Sequence, residues 1–352
     1  MDMRLYAAIV SEATDLPETQ ALKGLGKAMK QMERLEKLVS DAWDAITTER
    51  QAHPVVNYQS VFLAPEYFFS NQRHANDRFF SHDVKRTIIG RLSALAKKYP
   101  HLLIIPGTML WTKDLFDKKL TMLGRGASRV TKTVNQGRVN KMVTRIQTAS
   151  TTHGTQTNQK GWSHTRDVQT QDRKIAQNVA YVCLGPTILK YHKVGNYEEV
   201  MNETDDLLFV PGSLIGRFTV GGVKYGLEIC MDHALGVFDS SVQAPNDRVH
   251  VQIIVSSFVS CPQNPNASVT LHSSTQEQVT YVDNAQATTT GTNPIRFGGD
   301  KVGKLARAPV KKPGFTLWSV DLSAADIRTA PLVPRFQDDA AGEKQNVDAQ
   351  LS

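Results

Sequence analysis

The chain has 352 residues, 40% of them hydrophobic, and a formal net charge of +7. That length and apolar share suit one large packed domain or two modest ones, and no apolar run approaches the ~20 residues of a membrane-spanning helix. Its three cysteines, Cys183, Cys230 and Cys261, are too few and too scattered for a disulfide framework, so a reducing, cytoplasmic setting is expected.

Met1-Asp2-Met3-Arg4 runs directly into a strand-like Leu5–Val10 rather than into a secretory apolar region. A helix is predicted from about Glu18 to Arg50, because Leu22, Leu25, Met29, Met32, Leu35, Leu38, Val39, Ala42 and Ile46 recur at helical spacing. A strand at Ser60–Ala64 follows and delivers Glu66. Ser81 reads as the N-cap of a second helix with Val84, Ile88, Leu92, Leu95 and Tyr99 on one side, stopped by Pro100. His101–Ile105 is a buried strand ending in Pro106-Gly107. This β-α-β-α-β rhythm argues for a layered α/β domain.

From Thr112 to Arg173 the rhythm breaks, with no sustained period after about Met122. Between Lys113 and Lys174 there are thirteen Lys and Arg against four Asp, a net of +9 that exceeds the excess of the whole chain. A long polar stretch inside a compact domain is usually functional or mobile, here a lid, an oligomer contact, a surface for nucleic acid or an acidic partner, or equally a solvated loop. With little aromatic interleaving, Trp162 foremost, nucleic-acid binding is not expected.

The regular pattern resumes with a strand at Asn178–Leu184, a turn at Gly185-Pro186 and a returning strand at Ile188–Tyr191. Leu207–Val210 is a further short strand before Pro211-Gly212. Arg217–Val220, Gly221-Gly222 and Val223–Ile229 give a hairpin signal whose outgoing strand ends on Cys230. His250–Ser256 and Thr316–Leu322 complete the strands, with a short helical piece after the last. Residues 1–335 read as one domain carrying the basic insertion at about 112–174, and 336–352 as a polar C-terminal tail.

Three chemically able side chains stand where these apolar strands end: Glu66, Lys193 and Cys230. A thiol needs a base to take its proton and a cation to favour its anion, and a carboxylate and an ammonium supply both. The strand that stops at Cys230 and turns at once aims the next backbone N–H, that of Met231, toward a developing oxyanion. Glu66, followed by Tyr67-Phe68-Phe69, is expected to be partly desolvated. Chemistry alone leaves Lys190 as a competitor of Lys193. No Cys/His cluster has zinc-binding spacing and no glycine-rich phosphate loop is present, so neither metal nor cofactor is implied.

The contexts of these three residues resemble the carbon–nitrogen hydrolase family, also called the nitrilase superfamily. Leu63-Ala64-Pro65-Glu66 is similar to the family's glutamate motif. Asn178-Val179-Ala180-Tyr181, Gly185 and Tyr191-His192-Lys193 resemble its lysine motif, and this spacing selects Lys193 over Lys190. Gly226-Leu227-Glu228-Ile229-Cys230-Met231-Asp232 resembles its cysteine motif. The resemblance implies an α-β-β-α sandwich, usually paired into a homodimer or higher homo-oligomer. It implies a thiol hydrolase acting through a Cys230 acyl-enzyme, with Glu66 as base and Lys193 as oxyanion cation. Met231-Asp232 after the cysteine looks more like the amidase and carbamoylase branches than the nitrilases, so amide or carbamoyl substrates are favoured over nitriles. Glu203, in a Glu-x-Asp-like context before Pro211-Gly212, is the candidate second glutamate, with Glu198 and Glu199 as alternatives. Tyr67, Phe68, Met231, His233 and Ser257 are the candidate substrate-binding residues. Acyl transfer to an amine by the same triad, or a non-catalytic scaffold using the basic insertion, are the competing expectations.

Overall fold

The computed structural model describes residues 3–11, 17–71, 78–114, 116–122, 128–134, 174–195, 207–210, 212, 216–242, 247–257, 259, 267–275, 295–297 and 303–322. In chain order the first elements are β1 (Met3–Ile9), α1 (Pro17–Gln20), α2 (Gly24–Ala52), β2 (Asn57–Leu63), β3 (Phe80–Ser81), α3 (His82–Lys98), β4 (Leu102–Ile105) and β5 (Thr108–Asp114). They are followed by β6 (Phe116–Met122), β7 (Ser128–Val134), β8 (Lys174–Leu184), β9 (Thr187–His192), β10 (Leu207–Phe209), β11 (Gly216–Val220) and β12 (Val223–Ile229). After two one-turn helices, Met231–Ala234 and Val237–Ser240, come β13 (Val249–Ser256), β14 (Ala267–Ser274), β15 (Ile295–Phe297), β16 (Gly303–Leu305), β17 (Val310–Lys312) and β18 (Phe315–Leu322).

The predicted mixed α/β character holds. The described strands make a large sheet with the path β16-β18-β1-β2-β4-β8-β5-β3, a second sheet in the order β11-β12-β13-β14-β15, and the separate hairpin β6-β7. In the large sheet β1, β2 and β4 run parallel. In the second, β12, β13 and β14 do so. Parallel strands are covered on both faces and so read as continuous apolar runs. Leu5, Ala7 and Ile9 of β1, with Val61 and Leu63 of β2, pack against Tyr225, Leu227, Ile229, Val251, Ile253 and Val255 of the second sheet. Tyr6, Ala8 and Phe62 point the other way, onto Met32, Leu35, Val39 and Ile46 of α2 and Ile88 and Leu92 of α3. The layering is therefore helix, sheet, sheet. On the outer face of the second sheet Gly226 lies under the Phe238 ring of a one-turn helix, and among the described residues only the two one-turn helices represent a fourth layer there.

The elements differ from the predicted ones in the first helix and in the polar stretch. The single helix expected over 18–50 is broken: Lys23 is extended and Gly24 sits at φ +57°, its N–H donating to Asn71 Oδ1 at 2.6 Å. Leu25, counted on the apolar face, is exposed at this junction. The second helix starts as expected, with Ser81 Oγ accepting from the Val84 N–H at 3.3 Å. Within 112–174, residues 112–114 continue β5 against β8, and 116–134 contain the β6-β7 hairpin. Residues 115, 123–127 and 135–173 of that stretch, the short helix expected after β18 and the tail at 336–352 lie outside the described residues. No helix among the described residues is long and apolar enough to cross a membrane.

Candidate active site

The site forms where the two sheets meet at the C-terminal ends of their parallel strands, the edge at which open α/β sheets bind ligands. Hydrogen bonds tie the sheets there, among them one from the Glu66 N–H to the Ser256 carbonyl at 3.2 Å and one from the Ser273 hydroxyl to the Val10 carbonyl at 2.5 Å.

Glu66 leaves β2 after Pro65, in a turn that requires a glycine opposite it. A Cβ on Gly107, whose φ is +75°, would stand 2.0 Å from the Pro65 carbonyl oxygen. The next residue, Tyr67, is held at φ +61° and its N–H donates to Thr108 Oγ1 at 3.0 Å. This turn drives the Glu66 side chain inward, where it is wholly buried. The surroundings meet the expected desolvation and exceed it, but the carboxylate is not left bare. Its Oε1 accepts from Lys193 Nζ at 2.9 Å and from Asn178 Nδ2 at 2.9 Å. Its Oε2 accepts from the Ser257 N–H at 3.1 Å.

Lys193 arrives one residue beyond β9. Its backbone N–H donates to the Asn178 carbonyl at 2.9 Å, and its own carbonyl accepts from the Gly212 N–H at 2.9 Å. Asn178 thus holds Lys193 by its backbone and Glu66 by its side chain. The competitor Lys190 pairs with Tyr181 in the β8-β9 ladder and is half-buried, whereas Lys193 is buried on the carboxylate. Contact and burial separate two lysines that local chemistry left equivalent.

Cys230 follows β12 at φ +49°, ψ −109°, a conformation that side chains other than glycine rarely adopt. Its N–H donates to the Val255 carbonyl at 2.8 Å, and its carbonyl accepts from the His233 N–H at 3.0 Å, closing a turn. Among the described non-glycine residues, positive φ occurs at Tyr67 and Cys230 alone. Strain of this kind concentrates at functional sites, because surrounding structure must hold it in place. Burial pushes the Cys230 thiol up to about 12; the Glu66 charge and its interaction with the thiol add to this, and the Lys193 charge and the Ser257 amide oppose it. Desolvation outweighs the ammonium, so the thiol is held in its protonated form until a base takes the proton.

Two further groups, quoted in the motifs but given no role from sequence, shape the site. One is Asn178. The other is Asp232, wholly buried, which accepts from Tyr191 Oη at 2.9 Å, from the Val194 N–H at 3.0 Å and from the Gly195 N–H at 2.9 Å. Burial raises its carboxyl to about 7, against the opposing effects of the Lys193 charge and these donors.

The candidate pocket residues scatter. Ser257 is at the site through its amide, and its hydroxyl lies 3.1 Å from Thr275 Oγ1. Met231 is half-buried against the inter-sheet core. Tyr67 packs on Phe79, Leu110, Ala176, Leu207 and Phe209, with the Arg78 guanidinium 5.7 Å from its ring centre. Phe68 belongs instead to the helix-side core, edge-on to Phe69, because the positive φ at Tyr67 turns the next side chain away from Glu66. His233 turns to the outer face of the second sheet, its Nδ1 2.8 Å from Glu228 Oε2, in a cluster that Gln252 and the Phe238 N–H complete. Glu203, Glu198 and Glu199 lie outside the described residues, as does Cys261. Cys183 is buried in the helix-side core, and burial raises its thiol further still. No group of three or more His, Cys, Asp or Glu that could hold a metal ion occurs among the described residues.

No family model matches the chain, and no curated protein does. Among solved structures it is similar to a carbon–nitrogen hydrolase from Helicobacter pylori G27, with 14% identity over 90% of this chain and 89% of that one, at a TM-score of 0.41. It is also similar to a glutamine-dependent NAD+ synthetase from Acinetobacter baumannii, with 10% identity, 72% of this chain, 32% of that one and a TM-score of 0.35. A glutamine-dependent NAD+ synthetase from Cytophaga hutchinsonii gives 10% identity, 78% and 37% coverage and a TM-score of 0.32. The chain thus spans 32% and 37% of the length of the two synthetases. At this level of likeness no chemistry transfers from those proteins to this one.

Proposed function

We propose that the protein is a thiol hydrolase of the carbon–nitrogen hydrolase type, cleaving a nonpeptide amide or carbamoyl bond through a Cys230 acyl-enzyme. One observation carries this reading: a wholly buried Glu66 carboxylate is paired with the Lys193 ammonium, and the thiol of a conformationally strained Cys230 stands close enough to respond to both charges. Burying an ion pair costs several kcal/mol in desolvation, and nothing in core packing requires that the pair stand beside a nucleophile.

The resting state follows from the electrostatics. With the thiol protonated, attack and proton loss are coupled: as sulfur bonds to the carbonyl carbon, its proton passes to Glu66. The oxyanion that forms is met by the fixed charge of Lys193. Glu66 then returns the proton to the departing nitrogen, the carbon–nitrogen bond breaks and a thioester remains. A water replaces the amine, gives its proton to Glu66 and attacks the thioester. Collapse of the second adduct expels the sulfur, which recovers the proton. Asn178 and the Ser257 amide keep the carboxylate aimed through both halves.

The α-β-β-α sandwich, a homo-oligomeric state and a small-molecule substrate belong to the same reading. The test is ammonia release from a panel of small amides, carbamoyl compounds and nitriles, with Cys230→Ala as control. Release lost in the variant supports the thiol mechanism and identifies the substrate branch. A folded wild-type protein that forms no thioester and releases no ammonia from any compound overturns it. Appearance of a new amide when an amine is added would redirect the reading to acyl transfer.

A further inference from the structure

Asp232 stands two residues beyond Cys230 and makes no described contact with the sulfur or with Glu66. Its carboxylate is instead spent on the other strand end. The N–H groups of Val194 and Gly195, the two residues directly after Lys193, both converge on it, and the Tyr191 hydroxyl, two residues before Lys193, donates to the same Oδ2. Four hydrogen bonds from three residues flanking Lys193 therefore end on one side chain of the nucleophile's turn. Charge-assisted bonds of this kind are among the stronger ones available to a protein.

We propose that Asp232 is a positioning residue that clamps the backbone on both sides of Lys193 to the Cys230 turn, fixing the distance between cation and nucleophile. The proposal rests on reading Glu66, Lys193 and Cys230 as the reacting set, and adds a residue that acts through Lys193. The two strand ends belong to different sheets, β9 to the large one and β12 to the second. The bonds from Glu66 and Ser273 tie the sheets elsewhere along this edge, but neither holds the segment that carries Lys193. Local movement of that segment against the Cys230 turn would carry ammonium and sulfur apart, and displacements of about 1 Å in a reacting set cost on the order of 100-fold in rate. The Asn178 carbonyl anchors Lys193 to its own sheet; Asp232 anchors it to the other.

The charged and titratable groups around this carboxylate are Lys193 and Tyr191 on the β9 side and Glu228, whose charge also reaches Tyr191, on β12. Glu66 is bound to Lys193 on its far side. An amide at 232 keeps the volume but presents an NH2 to backbone donors, so Asp232→Asn opens the clamp. Tyr191→Phe removes a single donor and keeps the ring.

The experiment measures kcat and KM for ammonia release, together with the rate of Cys230 alkylation by a small neutral haloacetamide at pH 8, in folded wild-type, Asp232→Asn and Tyr191→Phe protein. The expected result for Asp232→Asn is a kcat about 50-fold lower with KM within threefold, and alkylation at least about fivefold slower, since Lys193 is the charge that favours the thiolate. Tyr191→Phe should follow with about a fivefold loss, and it carries the test if Asp232→Asn does not fold. A folded Asp232→Asn protein with kcat and alkylation within twofold of wild type would show a structural role only and overturn the proposal. If no variant, wild type included, releases ammonia, the alkylation arm decides by itself. Slower alkylation in Asp232→Asn then supports the clamp while the hydrolase reading falls; unchanged alkylation sinks both.

Discussion

Lys193 Nζ lies 2.9 Å from Glu66 Oε1, and the two side chains are 1% and 0% exposed. An ion pair in that position is mutually dependent, because either charge left alone would be buried without compensation. Lys193→Met is expected to destabilise the fold by about 3–5 kcal/mol, and Glu66→Gln by somewhat less, since an amide keeps part of the hydrogen bonding. The double variant should be more stable than the sum of the single losses predicts, with a positive coupling read from urea midpoints. Additive losses would mean that the pair is looser in solution than its geometry. Both single variants should also be inactive, so stability must be measured beside activity to separate the two effects.

Gly107 gives a test of the turn that aims Glu66. Gly107→Ala puts a methyl where the Pro65 carbonyl stands, at a φ of +75° that alanine resists. The expected cost is above about 2 kcal/mol, with a disproportionate loss of activity because Pro65 precedes the base. Gly90→Ala is the control. Gly90 is exposed in α3 with open space around its Cβ position, so the substitution should stabilise the protein by ~0.5–1 kcal/mol and leave activity alone. Equal melting shifts for the two variants would contradict this.

The buried thiol makes an alkaline prediction. A free thiol in the unfolded chain titrates near 8.5, whereas burial holds the Cys230 proton in the folded state up to about 12. A raised folded value means that the contribution is fully present below the unfolded one and is lost as pH rises through the window between them. Stability should therefore fall from about pH 8.5 toward 12 by about 1.4 kcal/mol per pH unit from this group. The difference between wild type and Cys230→Ala, measured by urea titration at pH 8 and pH 10, isolates it. Two identical slopes would mean that the thiol is exposed or already ionised. Labelling of Cys230 by neutral alkylators should correspondingly be slow at pH 7 and accelerate with pH.

The parts of the molecule legible in the sequence are those where one periodicity dominates. β4 is an unbroken apolar run, β1, β2, β12 and β13 are apolar-rich runs between turn signals, and Gly221 and Gly222, at φ +55° and +83°, mark the β11-β12 hairpin. β14 was not legible, because Thr270, His272, Ser273 and Ser274 look like loop residues. They are buried, and the sheet satisfies such groups internally, as with Ser256 Oγ 2.6 Å from His272 Nε2. β5 was hidden in part by the polar stretch that follows it. At the site, strand ends followed by reactive side chains pointed to Glu66, Lys193 and Cys230. The turn at Tyr67 held on Thr108, and the tethers from Asn178 and Asp232, depend on contacts between residues 41, 112 and 38 positions apart. No local pattern encodes those.

Asp232 makes the last prediction, at the opposite end of the pH scale. An unfolded aspartate titrates near 3.9, and burial raises it to about 7 in the fold despite its donors. The folded state therefore holds a proton that the unfolded chain has already lost, so this group's contribution is whole below about pH 4 and declines as pH rises to about 7. Other carboxylates superimpose slopes of their own, and the informative quantity is the wild-type curve minus that of Asp232→Asn, taken from urea midpoints at pH 4.5, 6 and 7.5. That difference should fall with pH across the window and flatten above it. Activity should move the other way, because three donors converge on the carboxylate and hold it hardest when it is charged: kcat should rise through about pH 7 in wild type, and this limb should disappear in the variant. A stability difference that grew with pH would mean that the donors outweigh burial. The clamp would then be fully ionised well below neutrality, and the kcat limb would belong to another group.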